Sequence, residues 1–181
     1  MAMVRKQDVA AMDVFDEQEL EALHNAIHLL FHGTIEGSLS ILHSIETGIV
    51  RKSYHAYKSD ALSLLDSCIK MCWAKKIRSA LTEGNTSFMR EEYRSAILCY
   101  QKTEGFILHC IKVRSGAVPK EIQVQCLHNH ALCHLKLNNS SLSLSMLYEA
   151  RKCCSTKQHS RELSQVKESI AFVLIVQVVH H

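Results

Sequence analysis

"LTEGNTSFMREEYRSAILCY", residues 81–100, decides how the rest of the chain reads. A small residue, Gly84, is followed by bulky Phe88 and Tyr93, then by a second small residue, Ala96, and by Tyr100. Small and large side chains alternating in this way across two short helical runs predict an antiparallel helix pair that closes tightly where the small residues meet. The layout recurs downstream. "NHALCHLKLNNSSLSLSMLYEA", residues 129–150, carries Ala131, Leu135, a polar turn at Asn138-Asn139, then Ser143, Leu147 and Ala150 at the same internal offsets. The run from Glu17 to Gly48 follows it more loosely through Ala26, Leu29, Gly33, Ile35, Ser38, Leu42 and Ile45.

Composition agrees with helices throughout. The 181 residues contain a single Pro, Pro119, and six Gly, whereas a sheet protein needs turn punctuation roughly every 8–12 residues. The reading is therefore all-α, with seven or eight helices in antiparallel succession. Residues 1–15 are expected to be a flexible N-terminus, and 16–181 one helical domain. Its hairpins fall at about 16–48, 77–113 and 119–154, and its final helix at 160–179. A long helical pattern from Ser53 to Ala80 has no Gly or Pro to stop it, and is expected to run on into the helix that contains Gly84. Pro119 fits the start of a helix, where its missing N–H costs nothing.

These segments resemble the tetratricopeptide repeat, a helix-turn-helix unit whose small residues let neighbouring helices close up and whose large residues fill the gaps between them. The resemblance is carried by residues 83–100 and 129–150, and by 17–48 more weakly. It implies a TPR-like α-solenoid; the residues alone also allow a plain helical bundle with small-large alternation. Gly84 and Ala131 stand 47 residues apart, longer than one regular repeat, so extra or longer helices must intervene.

The resemblance further implies that the first helix of each pair lines a groove for a partner peptide or helix. Carried onto this sequence, the groove residues are Arg78, Asn85, Met89, His128, Asn129, Leu132 and Lys136. Asn85 and Asn129 match the asparagines with which chaperone-binding members grip a C-terminal carboxylate. The Lys expected four residues before Asn85 is Leu81, so the charge-assisted bonds of such a clamp are missing. The implied function is a non-catalytic scaffold that binds another polypeptide. A second interaction reading uses the C-terminal helix: "IAFVLIVQVV", residues 170–179, is apolar on nearly every side, which predicts burial within the bundle or against a second copy or a larger complex.

Other classes are less favoured. The net charge of +3 is spread without a basic block, and only one Trp, five Tyr and five Phe are present, which argues against a nucleic-acid surface. The longest apolar stretch is too short to span a bilayer, and the start turns acidic before an apolar run develops, so the chain reads as soluble, cytoplasmic or nuclear, without a signal peptide. The eight Cys sit inside helical patterns without paired knuckle spacing and read as reduced, buried thiols. His24, His28 and His32 lie along one helix side, but the outer pair is about 12 Å apart, too far for one ion. Around Cys126, His130, Cys133 and His134 the reading is a packed Cys133 with histidines on the surface. No cofactor is implied, and an enzyme using a metal or a thiol is the remaining, least favoured class.

Overall fold

A computed structural model describes residues 15–51, 58–114, 118–154 and 160–179. Among these residues there are seven α-helices and no strand: α1 (Glu17–His32), α2 (Ile35–Arg51), α3 (Lys58–Met89), α4 (Tyr93–Arg114), α5 (Lys120–Lys136), α6 (Ser140–Cys153) and α7 (Ser160–Val179). Residues 1–14 lie outside the described set, and Phe15, assigned above to a flexible terminus, is buried. Residues 115–117, between the expected second and third hairpins, also lie outside it, as do His180 and His181. As anticipated, the described part of the 53–80 pattern, from Lys58 onward, and the segment around Gly84 form one helix, the 32-residue α3. Contacts group the chain into two compact units, Met1–Lys75 and Lys76–His181.

In the first unit α1 opens with a capping box. Glu19 N–H donates to Asp16 Oδ1 (2.9 Å) and Asp16 N–H to Glu19 Oε2 (3.0 Å), satisfying two of the donors a helix start leaves free. α1 packs on α2 through Leu23, Ala26 and Leu30 against Leu39, Leu42, Ile45 and Ile49. Ser38 Oγ donates to the Ala26 carbonyl (2.8 Å) and lies 3.3 Å from Cys72 Sγ on α3. Lys75 Nζ donates to the Leu30 carbonyl.

The second unit holds the end of α3 and helices α4–α7. α3 pairs with α4, α4 with α5, α5 with α6, and α7 lies on both α6 and α5. Its core between α5, α6 and α7 is built from Val124, Ala131, Leu147, Ala150, Cys154, Val166, Ile170 and Val173.

The three hairpins share one internal register. Twelve residues after Ala26, Gly84 and Ala131 stand Ser38, Ala96 and Ser143; sixteen after them, Leu42, Tyr100 and Leu147; nineteen after, Ile45, Thr103 and Ala150. Every one of these is buried. The small first member is sterically required at Gly84, where an added Cβ would lie 2.6 Å from Tyr100 Cε1. The turns of the second and third hairpins also coincide. Glu91 and Asn138, each seven residues after the small residue, have left-handed φ of 61° and 60°. Glu92 N–H donates to Ser87 O (2.9 Å) and Asn139 N–H to His134 O (2.8 Å), the six-to-one bond that closes a helix C-terminus around a left-handed residue. At the corresponding place in the first hairpin Gly33 has φ −130°, so that turn is built differently.

Candidate functional site

A cleft of about 710 Å³ opens between α5 and α7 in the second unit. Its walls follow from helical spacing. Val124, His128, Leu132 and Leu135 recur every three or four residues along α5, and Gln165, Ser169 and Phe172 do so along α7. Of the residues the repeat resemblance nominated, His128, Asn129 and Leu132 line this cleft. Arg78, Met89 and Lys136 are exposed on their helices and are not among its lining residues.

Asn85 stands behind the cleft in a chain of hydrogen bonds. Its Oδ1 accepts from Tyr100 Oη (2.8 Å) and from Asn129 Nδ2 (2.9 Å). The oxygen therefore holds its own hairpin together and ties α3 to α5, and both of its lone pairs are used. Asn129 Oδ1 lies 3.4 Å from His128 Nδ1, and His128 Nε2 lies 2.9 Å from Ser169 Oγ. A carbonyl oxygen only accepts, so His128 carries its proton on Nδ1 and takes the Ser169 hydroxyl proton on Nε2. Burial lowers the His128 pKa, so the ring is neutral at pH 7. The result is a polar ladder, Tyr100–Asn85–Asn129–His128–Ser169, joining α4, α3, α5 and α7. It fixes the orientation of His128 at the cleft wall.

A second buried polar cluster lies deeper between α4 and α5. His130 is 1 % exposed and its Nδ1 meets Glu104 Oε1 at 2.8 Å. The His134 ring stacks on it at 5.0 Å, and burial together with the neighbouring His130 lowers the His134 pKa. His130 is thus not a surface residue, contrary to the sequence reading. It stands one turn after Cys126, which is fully buried, and residues four apart on a helix share a face. Cys133 is buried as expected, and burial pushes its thiol up to about 11. Burial raises Cys126 as well. Raised thiols are poor nucleophiles at neutral pH. On α1, His24, His28 and His32 are exposed. Among the described residues no group of three or more His, Cys, Asp or Glu is arranged to hold a metal ion.

The α7 half of the cleft is what the sequence reading missed. Gln165, Ser169 and Phe172 sit at i, i+4 and i+7, a stripe that runs from the polar first half of the helix into its apolar second half. α7 buries Val166, Ile170 and Val173 and leaves Phe172, Leu174 and Ile175 exposed. Among the described residues, no helix is long and apolar enough to cross a membrane. Comparison with protein-family models, with curated proteins and with solved structures finds no match.

Proposed function

We propose that this chain is a non-catalytic, tetratricopeptide-like scaffold that holds a segment of another polypeptide in the α5–α7 cleft. The observation that carries the reading is that His128, Asn129 and Leu132 line one cleft beside a hairpin in the shared register. The register itself supports the repeat resemblance, because small residues at the same three hairpin positions all stand in buried helix contacts. The cleft also has the mixed character of a peptide site: apolar lining from Leu132, Leu135 and Phe172 beside amide, imidazole and hydroxyl groups. A main chain passing through it would find both donors and acceptors. The raised thiols support a role without nucleophilic chemistry, and reduced cysteines fit the cytoplasm or nucleus.

A photo-crosslinking residue at Leu132 tests this. It should capture a polypeptide that the same residue at exposed Leu98 on α4 does not. The captured protein should then bind the purified chain, and lose affinity when Leu132 becomes Gln, with helicity unchanged. Equal capture at both positions would remove the cleft assignment. A second reading is favoured by the exposed Phe172, Leu174 and Ile175: α7 then docks on a second copy or on a larger complex. Sedimentation across a concentration range distinguishes it, since a strict monomer at high concentration rules out self-association.

A further inference from the structure

Charge is segregated across α5 and α7. Together the two helices carry three acids, Glu121, Glu162 and Glu168, and all three line the cleft. They carry four Lys or Arg, and only Arg161 lines it; Lys120, Lys136 and Lys167 are exposed elsewhere on the same helices. The whole chain has a formal charge of +3, so the cleft is locally of opposite sign to the molecule around it. Glu121 and Glu162 stand in the first turns of their helices, where they also offset the positive helix ends. Glu168 lies two turns further along α7, and accepts from Ser164 Oγ at 3.0 Å, so capping does not account for it.

From this segregation we infer that the cleft takes a basic segment, an extended peptide that sets Lys or Arg side chains against Glu121, Glu162 and Glu168 and an apolar side chain against Leu132 and Phe172. The inference rests on the cleft reading proposed above and adds the chemistry of the partner. An acidic peptide, the kind gripped by a carboxylate clamp, would meet three carboxylates and lose affinity through like-charge repulsion. His128 adds no cation to offset them, because its ring is neutral. A guanidinium or ammonium at the Glu121 and Glu162 end of the cleft meets carboxylate acceptors, while an apolar side chain further along an extended peptide lies against Leu132, about three turns on along α5. Arg161, at the same end, would limit how many basic side chains can enter, which favours one or two cations over a polybasic run.

The test is selection of random twelve-residue peptides displayed on phage against the purified 181-residue chain, followed by anisotropy measurements on the enriched peptides. The expected winners carry Lys or Arg beside an apolar residue. They should bind about ten-fold more weakly to the Glu121→Gln/Glu162→Gln/Glu168→Gln variant, and a few-fold more weakly to Glu168→Gln alone, which keeps both first-turn acids. Binding should also fall as salt is raised. Enriched peptides that are uncharged or acidic, and that still lose binding on Leu132→Gln, would overturn the charge inference and leave the cleft reading standing. Peptides indifferent to Leu132→Gln, or no enrichment at all, would overturn both.

Discussion

Two glycine-to-alanine changes of identical chemistry should move stability in opposite directions. At Gly84 a new Cβ would lie 2.6 Å from Tyr100 Cε1, 2.9 Å from Cδ1 and 3.1 Å from Cζ. Carbon atoms pack at about 3.5–4.0 Å, so the ring would have to retreat by roughly 1 Å. It has little freedom to do so: Tyr100 is fully buried, and its hydroxyl is bonded to Asn85 Oδ1 at 2.8 Å. Overpacking of this kind costs about 1–3 kcal/mol, and losing the hydroxyl bond adds about 0.5–1.5 kcal/mol. Against this stands a gain of about 1 kcal/mol from replacing Gly by Ala in a helix. The net expectation for Gly84→Ala is a loss of about 0.5–3.5 kcal/mol. At Gly105, exposed within α4, a Cβ meets nothing within 4 Å, so Gly105→Ala should show only the propensity gain, about 0.5–1 kcal/mol of added stability. Both residues lie in the second unit, so urea unfolding followed by far-UV circular dichroism compares them within one transition. A Gly84→Ala/Tyr100→Leu double variant should recover part of the loss. If Gly84→Ala stabilises as much as Gly105→Ala, the close helix contact, and the shared register built on it, is wrong.

The two equivalent serines should also differ: Ser38→Ala loses the bond to the Ala26 carbonyl and about 1 kcal/mol, whereas Ser143 Oγ is buried without a partner, so Ser143→Ala should be neutral or gain up to about 1 kcal/mol. Equal losses in the same unfolding assay would count against this placement. Glu91 holds a left-handed φ of 61° that glycine adopts without strain, so Glu91→Gly should raise the melting temperature by roughly 0.5–1 kcal/mol worth of stability, and a lower melting temperature would contradict the turn geometry. His128 and His134 both have pKa values lowered by burial, so the unfolded chain takes up protons first as pH falls. Their effect on stability is absent above the ordinary His pKa of about 6.5, grows as pH drops through it, and levels off below the folded values. Melting between pH 8 and 5 should show this decline, shallower in a His128→Gln/His134→Gln variant; stability that increased on acidification would refute it.

Helix identity was readable along the chain because periodicity and turn chemistry are local. Ala26, Gly84 and Ala131, with small residues twelve positions on and large ones sixteen on, stand out in the sequence, since a close helix contact admits only small side chains where the helices meet and needs large ones to fill the gaps beside them. The run without Gly or Pro that becomes α3 and the polar turn at Asn138-Asn139 are local signals of the same sort. The site was only half readable. His128, Asn129 and Leu132, named through their position in the repeat pattern, line the candidate cleft, whereas Asn85 is not among its lining residues and its oxygen accepts from Tyr100 and Asn129. Nothing in the spacing around Asn85 distinguishes a free amide from one that accepts from a residue 44 positions away.

The amino-acid sequence by itself determined that this chain forms antiparallel helices and which side of each is apolar, because those properties depend on neighbours within a turn or two. Only the tertiary structure decided that α7 lies beside α5, that His128 meets Ser169 across 41 residues, that His130 is buried against Glu104, and that every acid of two helices faces one cleft. Such pairings depend on which helices come together and at what rotation, and a period of 3.6 residues fixes a face without naming what that face will touch.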